Sequence, residues 1–244
     1  MPAPRAIGTQ PDRLRRLLLL AAGAPAVADA AGDGDATRPR RELVFPRDHG
    51  SHPDHAIEWW YITGHARVGA GDAARLLGFQ LTFFRARVPA TRNMRSRFAA
   101  RQLLFAHAAV TDVQGRRFWH DQRIARAGFE VAEASETDTD LRLGNWSLMH
   151  DTGNYRTRIT SREFSLELDF TSTQAILLQG DRGWSRKGPK PRQASFYYSR
   201  PQLAFSGHIN LLGQRLAVQG NGAVSYTHLR AHETKANIVC RLLL

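Results

Sequence analysis

A strict two-residue alternation constrains this chain more than any other feature. Phe164, Leu166, Leu168 and Phe170 alternate with Glu163, Ser165, Glu167 and Asp169. Successive side chains of a strand point to opposite faces, so this segment presents one apolar and one acidic face. Such a strand packs on a core with one face and meets water with the other. The same period sets Phe79, Leu81 and Phe83 against Gln80, Thr82 and Phe84. Further strands are expected at 103–113, at 116–124, around the turn Gly144-Asn145, at 155–159, at 195–199, at 203–209 and at 215–219. No stretch beyond the leader sustains a helical period. The chain is therefore expected to be all-β, an antiparallel meander that closes into a barrel or folds as a sandwich.

Cys240 is the single cysteine, so no intramolecular disulfide can staple the fold, and the core must hold it alone. Residues 13–30 carry a basic start, the apolar run Leu17 to Ala22, and small residues spaced as Ala-x-Ala. This is the pattern of a secretory signal peptide, with an apolar run too short to span a bilayer, which takes about 20 residues. Expected divisions are a signal peptide over 1–30, a solvated linker over 31–42, and a β-domain over 43–224. A periplasmic or secreted location follows. The net charge of +12 raises nucleic acid as a partner, but the arginines are scattered through alternating strands and do not cluster on one helix. A solvated basic surface is the expectation. Residues 179–192, rich in Gly, Pro and basic side chains, read as a long loop of the lid or binding type.

The chemistry concentrates between Phe45 and Arg85. A polar loop holding Asp48, His49, His52, Asp54 and His55 runs into an aromatic strand that opens on Glu58 and continues Trp59-Trp60-Tyr61. Aromatic walls with a few fixed polar groups are what small-ligand sites are made of. Asp48, His49 and Glu58 are the candidate catalytic residues. Trp59, Trp60, Tyr61, Phe83 and His107 are the candidate ligand-binding wall. The bland use of Glu58 is an ion pair, with Arg85 its nearest candidate partner. The every-third-residue spacing of His49, His52 and His55 invites zinc, but Gly50 and Pro53 prevent the helix that would align them, so no metal is expected. A serine nucleophile elbow is also missing, since Gly183-Trp184-Ser185-Arg186-Lys187 lacks the closing glycine. No phosphate loop or dinucleotide fingerprint occurs, and no cofactor is expected.

Five ordered motifs carry a resemblance: Phe45 to His55; Glu58-Trp-Trp-Tyr-x-Thr-Gly-His65 with Gly78-Phe-Gln-Leu-Thr-Phe-Phe-Arg85; Phe105-Ala-His-Ala-Ala-Val-Thr-Asp112; Gly180-Asp-Arg-Gly-Trp-Ser-Arg-Lys-Gly188; and Ala194-Ser-Phe-Tyr-Tyr-Ser199. Over roughly residues 43–224 the chain resembles the lipocalin-like family that includes carotenoid 1,2-hydratases (hydroxyneurosporene synthases) and related predicted secreted hydrolases. The resemblance implies two lipocalin-like β-domains in a full-length member, of which this would be the first. It also implies addition of water to an isoprenoid double bond without a redox cofactor in the hydratase branch. The expected partner is an apolar small molecule, an isoprenoid or lipid, with membrane-surface association a secondary expectation. A non-catalytic envelope lipid carrier is the alternative. The chain departs from the family after Gly220, where a segment of the type Trp-x-Asp-x-Glu-Trp is replaced by Asn221-Gly-Ala-Val and then Ser225 to Leu244. That tail resembles translated adapter or vector sequence, so residues 225–244 are expected to be irregular and not native.

Overall fold

The computed structural model describes residues 41–69, 71, 74–189 and 193–229. The expected signal peptide and the expected linker up to residue 40 lie outside the described residues, as does the chain from residue 230. Within them the alternation becomes thirteen strands of one antiparallel sheet: β1 (Ile57–Val68), β2 (Arg75–Arg87), β3 (Gln102–Asp112), β4 (Arg117–Arg126), β5 (Ala132–Ala134), β6 (Asp140–Leu143), β7 (Trp146–Asp151), β8 (Asn154–Thr160), β9 (Phe164–Ser172), β10 (Leu177–Leu178), β11 (Trp184–Arg186), β12 (Ala194–Leu211) and β13 (Gln214–Leu229). The order along the sheet is β4-β3-β2-β1-β13-β12-β9-β8-β7-β6-β5, with β10 and β11 lying on β12. The sheet curls into a nearly closed, lipocalin-like barrel. Arg123 on β4 reaches across the seam, donating to Asn145 Oδ1 and to the Thr160 carbonyl (2.8 Å) while lying 4.9 Å over the Trp146 ring.

The strand with the cleanest alternation behaves as its pattern requires. Phe164, Leu166, Leu168 and Phe170 are buried, and β8 supplies Tyr155, Thr157 and Ile159 beside them from its hairpin position. The turn 211–214 joins β12 to β13 with Leu212 and Gly213 both left-handed (φ 52° and 85°), the conformation that tight hairpins demand and glycine meets without strain.

Two expectations on the C-terminal third are corrected. The short strands at 195–199 and 203–209 are one 18-residue strand, β12, interrupted by a register shift between Arg200 and Leu203. Pro201 sits in that gap, where a residue without an N–H belongs. Nor does regular structure stop at Gln219 or give way to an irregular tail at residue 225, for β13 carries on to Leu229. Its last five residues pair with Ile57–Tyr61 of β1 and with Ser195–Ser199 of β12. Tyr226 and His228 turn inward and are buried. This period of two is invisible by composition because polar residues occupy it. It is imposed by two neighbouring strands that need their backbone groups paired. The 179–192 segment is likewise less irregular than a free loop, since β11 lies within it and pairs with β12.

Candidate functional site

Register places the site. Across β2, β1, β13 and β12, one inward row reads Phe83, Trp60, Tyr226, Tyr198; the next inward row toward the barrel end reads Arg85, Glu58, His228, Phe196. An aromatic floor therefore lies under a charged row. Trp60 and Tyr226 stack with ring centroids 4.8 Å apart.

The polar loop closes this end as a plug. A single turn of 3-10 helix at Arg47–His49 leads into chain that is buried through His52. Buried backbone groups need partners, and here side chains of the barrel supply them. Trp60 Nε1 and Thr139 Oγ1 both donate to the His49 carbonyl at 2.9 Å. The Tyr226 hydroxyl donates to the Gly50 carbonyl at 2.6 Å, and Arg85 Nη2 donates to the carbonyls of His52 and His55 at 2.8 Å each. Gly50 packs against the 136 backbone so closely that a Cβ would stand 2.6 Å from the Glu136 carbonyl carbon. Gly50→Ala is therefore expected to displace the plug and lower stability by about 1–3 kcal/mol in urea denaturation, the usual cost of overpacking a tight contact. A midpoint within error of wild type would show that the 134–139 segment yields freely.

Two arrays of titratable groups occupy the plugged end. In the first, Glu58 is fully buried and its carboxylate gathers donors from every side. Arg85 Nε donates to Oε2 at 2.6 Å, and the His52 backbone N–H lies 2.8 Å from the same oxygen. His228 Nδ1 at 2.7 Å, His52 Nδ1 at 2.8 Å and the Tyr226 hydroxyl at 3.0 Å converge on Oε1. Burial works to raise the Glu58 carboxyl, but hydrogen bonds from His228 and His52 and the Arg85 charge outweigh it and hold the group well below the ordinary carboxylate range. Asp48 is held low in the same way. Burial opposes ionisation, while hydrogen bonds from Arg41, His52 (2.7 Å) and the Val44 N–H prevail. Burial lowers His52, but its bonds to Asp48 and Glu58 overcome this and raise it.

In the second array, His49 Nδ1 lies 2.6 Å from the Tyr198 hydroxyl. Burial drives Tyr198 well above 10, so the phenol keeps its proton and donates it to the imidazole. Burial, followed by the proximity of His150 and Arg200, lowers His49 to about 3, which leaves it neutral. His150 sits beside it, ring centroids 4.4 Å apart, with Nδ1 2.8 Å from Asp138 Oδ1 and Nε2 accepting from the Gly153 N–H.

Of the residues expected from sequence, Asp48, His49, Glu58, Trp60 and Phe83 meet at this end. Trp59, Tyr61 and His107 do not, because a period of two sends them to the opposite face. Trp59 packs on Phe84 and His107 stacks on the Phe84 ring at 5.0 Å, outside the barrel. The expected five-residue wall is thus corrected to Trp60 and Phe83 joined by Tyr198 and Tyr226. The Glu58–Arg85 pair is present, as the bland use of Glu58 requires. The metal expectation also changes in content. His49 points away to Tyr198, while His52, His55, Glu58 and His228 bring four potential ligand atoms within 4.8 Å of one another. His150, Asp138 and His228 carried no local signal. The alternation within Ala194-Ser-Phe-Tyr-Tyr-Ser199 was enough to put Tyr198 on the inner face.

An antiparallel barrel with an aromatic floor and a plug of buried charge has a lipocalin-like fold. The chain matches the AttH-like family over residues 36–225 and belongs to it. A putative AttH from Nitrosomonas europaea, known from a crystal structure, is 40% identical with a TM-score of 0.71, over 81% of this chain and 59% of that one. This chain thus spans about three fifths of that relative's length. Kievitone hydratase from Nectria haematococca shares the fold at 11% identity and a TM-score of 0.51, over 73% of this chain and 48% of that one. No curated protein matches the sequence.

Proposed function

We propose that this is an exported enzyme of the hydratase type, adding water across a double bond of an apolar isoprenoid or lipid at the plugged barrel end. The observation that carries the reading is His49: a buried, neutral imidazole close to the Tyr198 hydroxyl and packed among the rings of Phe45, His150 and Tyr198. A value near 3 makes the protonated form of His49 a strong acid, which is what an unactivated double bond requires. The imidazolium gives its proton to one alkene carbon, water bonds to the other, and His49 takes back the proton that water loses. Aromatic neighbours shield the positive charge that develops, and Asp48 supplies fixed negative charge toward it. Because His49 is 1% exposed, substrate meets it only when the plug moves. That a protein of this fold is named a hydratase supports the reading only in showing that the fold hosts such chemistry.

The test is to add an extracted polyene mixture to the purified protein and follow tryptophan quenching and product mass together. Quenching with a gain of one water, faster at pH 5 than at pH 7 and lost in His49→Gln, is the expected result. Quenching without that gain would favour the lipid-carrier alternative.

A further inference from the structure

We propose that the chain binds one divalent transition-metal ion of the zinc class through Nδ1 of His52, His55 and His228 and Oε1 of Glu58. One donor atom from each of the four residues lies within 4.8 Å of the others and all four residues are buried. Without a cation the hydrogen bonding at their centre is frustrated. His228 Nδ1 lies 2.7 Å from Glu58 Oε1 and 3.2 Å from His55 Nδ1. If His228 Nδ1 carries a proton it donates to Glu58 and has no lone pair for His55; if it does not, it cannot bond Glu58. Glu58 Oε1 lies 2.7 Å from His228 Nδ1 and 2.8 Å from His52 Nδ1, so both imidazoles converge on one oxygen. Three imidazole lone pairs and one carboxylate oxygen pointed at a shared cation remove the conflict at His228 Nδ1.

The dimensions suit zinc. Bonds of about 2.0–2.1 Å in a tetrahedron set donor atoms about 3.3 Å apart. Four of the six spacings, 2.7, 2.8, 3.2 and 3.8 Å, lie around that value, and the whole group lies within 4.8 Å. Three nitrogen donors argue against magnesium and calcium, which take oxygen. Outer partners are in place for His52 and Glu58, while His228 Nε2 is buried without one. Asp48 Oδ1 holds Nε2 of His52 at 2.7 Å, the carboxylate–histidine arrangement that orients a metal ligand, and Arg85 occupies Glu58 Oε2, leaving only Oε1 for a metal. Four protein donors close the coordination shell, so the ion fastens the plug, through His52 and His55, to β1 and β13. Arg47, 3.2 Å from His52 Nε2, works against the cation, and Arg47→Gln is expected to tighten binding.

The inference shares its end of the barrel with the hydration reading but does not rest on it, because metal is measured without substrate. Untagged full-length protein is stripped with chelator and titrated with Co2+. The expected result is one equivalent per chain with the visible bands of tetrahedral cobalt, displaced by Zn2+. Binding should weaken at least tenfold in both His55→Gln and His228→Gln and stay unchanged in His49→Gln. Wild-type protein that is folded by circular dichroism yet shows only weak octahedral cobalt overturns the proposal. So does His55→Gln binding as tightly as wild type. Hydration assayed on the stripped protein reports separately on His49.

Discussion

Arg85→Leu is expected to lower the unfolding free energy by about 3–5 kcal/mol, the cost of removing one partner from a buried ion pair. Both members are essentially unexposed, and Arg85 does more than neutralise Glu58. Its guanidinium also satisfies the carbonyls of His52 and His55 and donates to Gln102 Oε1 at 2.6 Å. Removing it leaves a carboxylate and two plug carbonyls without their strongest donor. The double variant Glu58→Gln, Arg85→Leu should lose less than the sum of the two single losses, since the second change removes the charge that the first had stranded. Urea midpoints with unchanged slopes measure this. Strict additivity would show that the pair is not coupled.

The second large effect is on acid stability. His49 is lowered to about 3 in the folded protein against 6.5 for a free imidazole, so the unfolded chain binds a proton that the folded chain refuses. Its contribution is complete above about pH 6.5 and is lost as pH falls from there toward 3. The loss is roughly 1 kcal/mol for each pH unit, or about 3 kcal/mol between pH 6.5 and 4. Asp48 and Glu58 act lower on the scale. Their folded values are depressed, so their contribution is present above the unfolded carboxylate range near 4 and is lost below it. Stability measured from pH 7 to 4 should therefore fall for the wild type, and His49→Gln should flatten the slope between 6.5 and 4. An identical slope in the variant would assign the loss to other groups.

The strands were legible wherever their inward residues are apolar, as in Phe164 to Phe170, because burying that face fixes the period. They were illegible in β13 beyond Gln219, where the inward residues come to include Tyr226 and His228. No apolar alternation marks Ser225 to Leu229, and pairing on both sides holds it as a strand. The division of Trp59 from Trp60 was also legible in principle, since adjacent residues of a strand face apart. Which of them faces inward was not.

Taken alone, the sequence determined that the chain is an antiparallel β-domain without disulfides, that a polar loop precedes an aromatic strand, and that Asp48, His49 and Glu58 are its chemically pointed residues. Local periodicity and turn chemistry suffice for that, because they act over a few residues. Only the tertiary structure decided that the loop is a plug, that Tyr198 and His228 reach it, and that His49 and Glu58 belong to different arrays. Those facts follow from cross-strand register, which joins the loop to residues more than a hundred positions further along the chain.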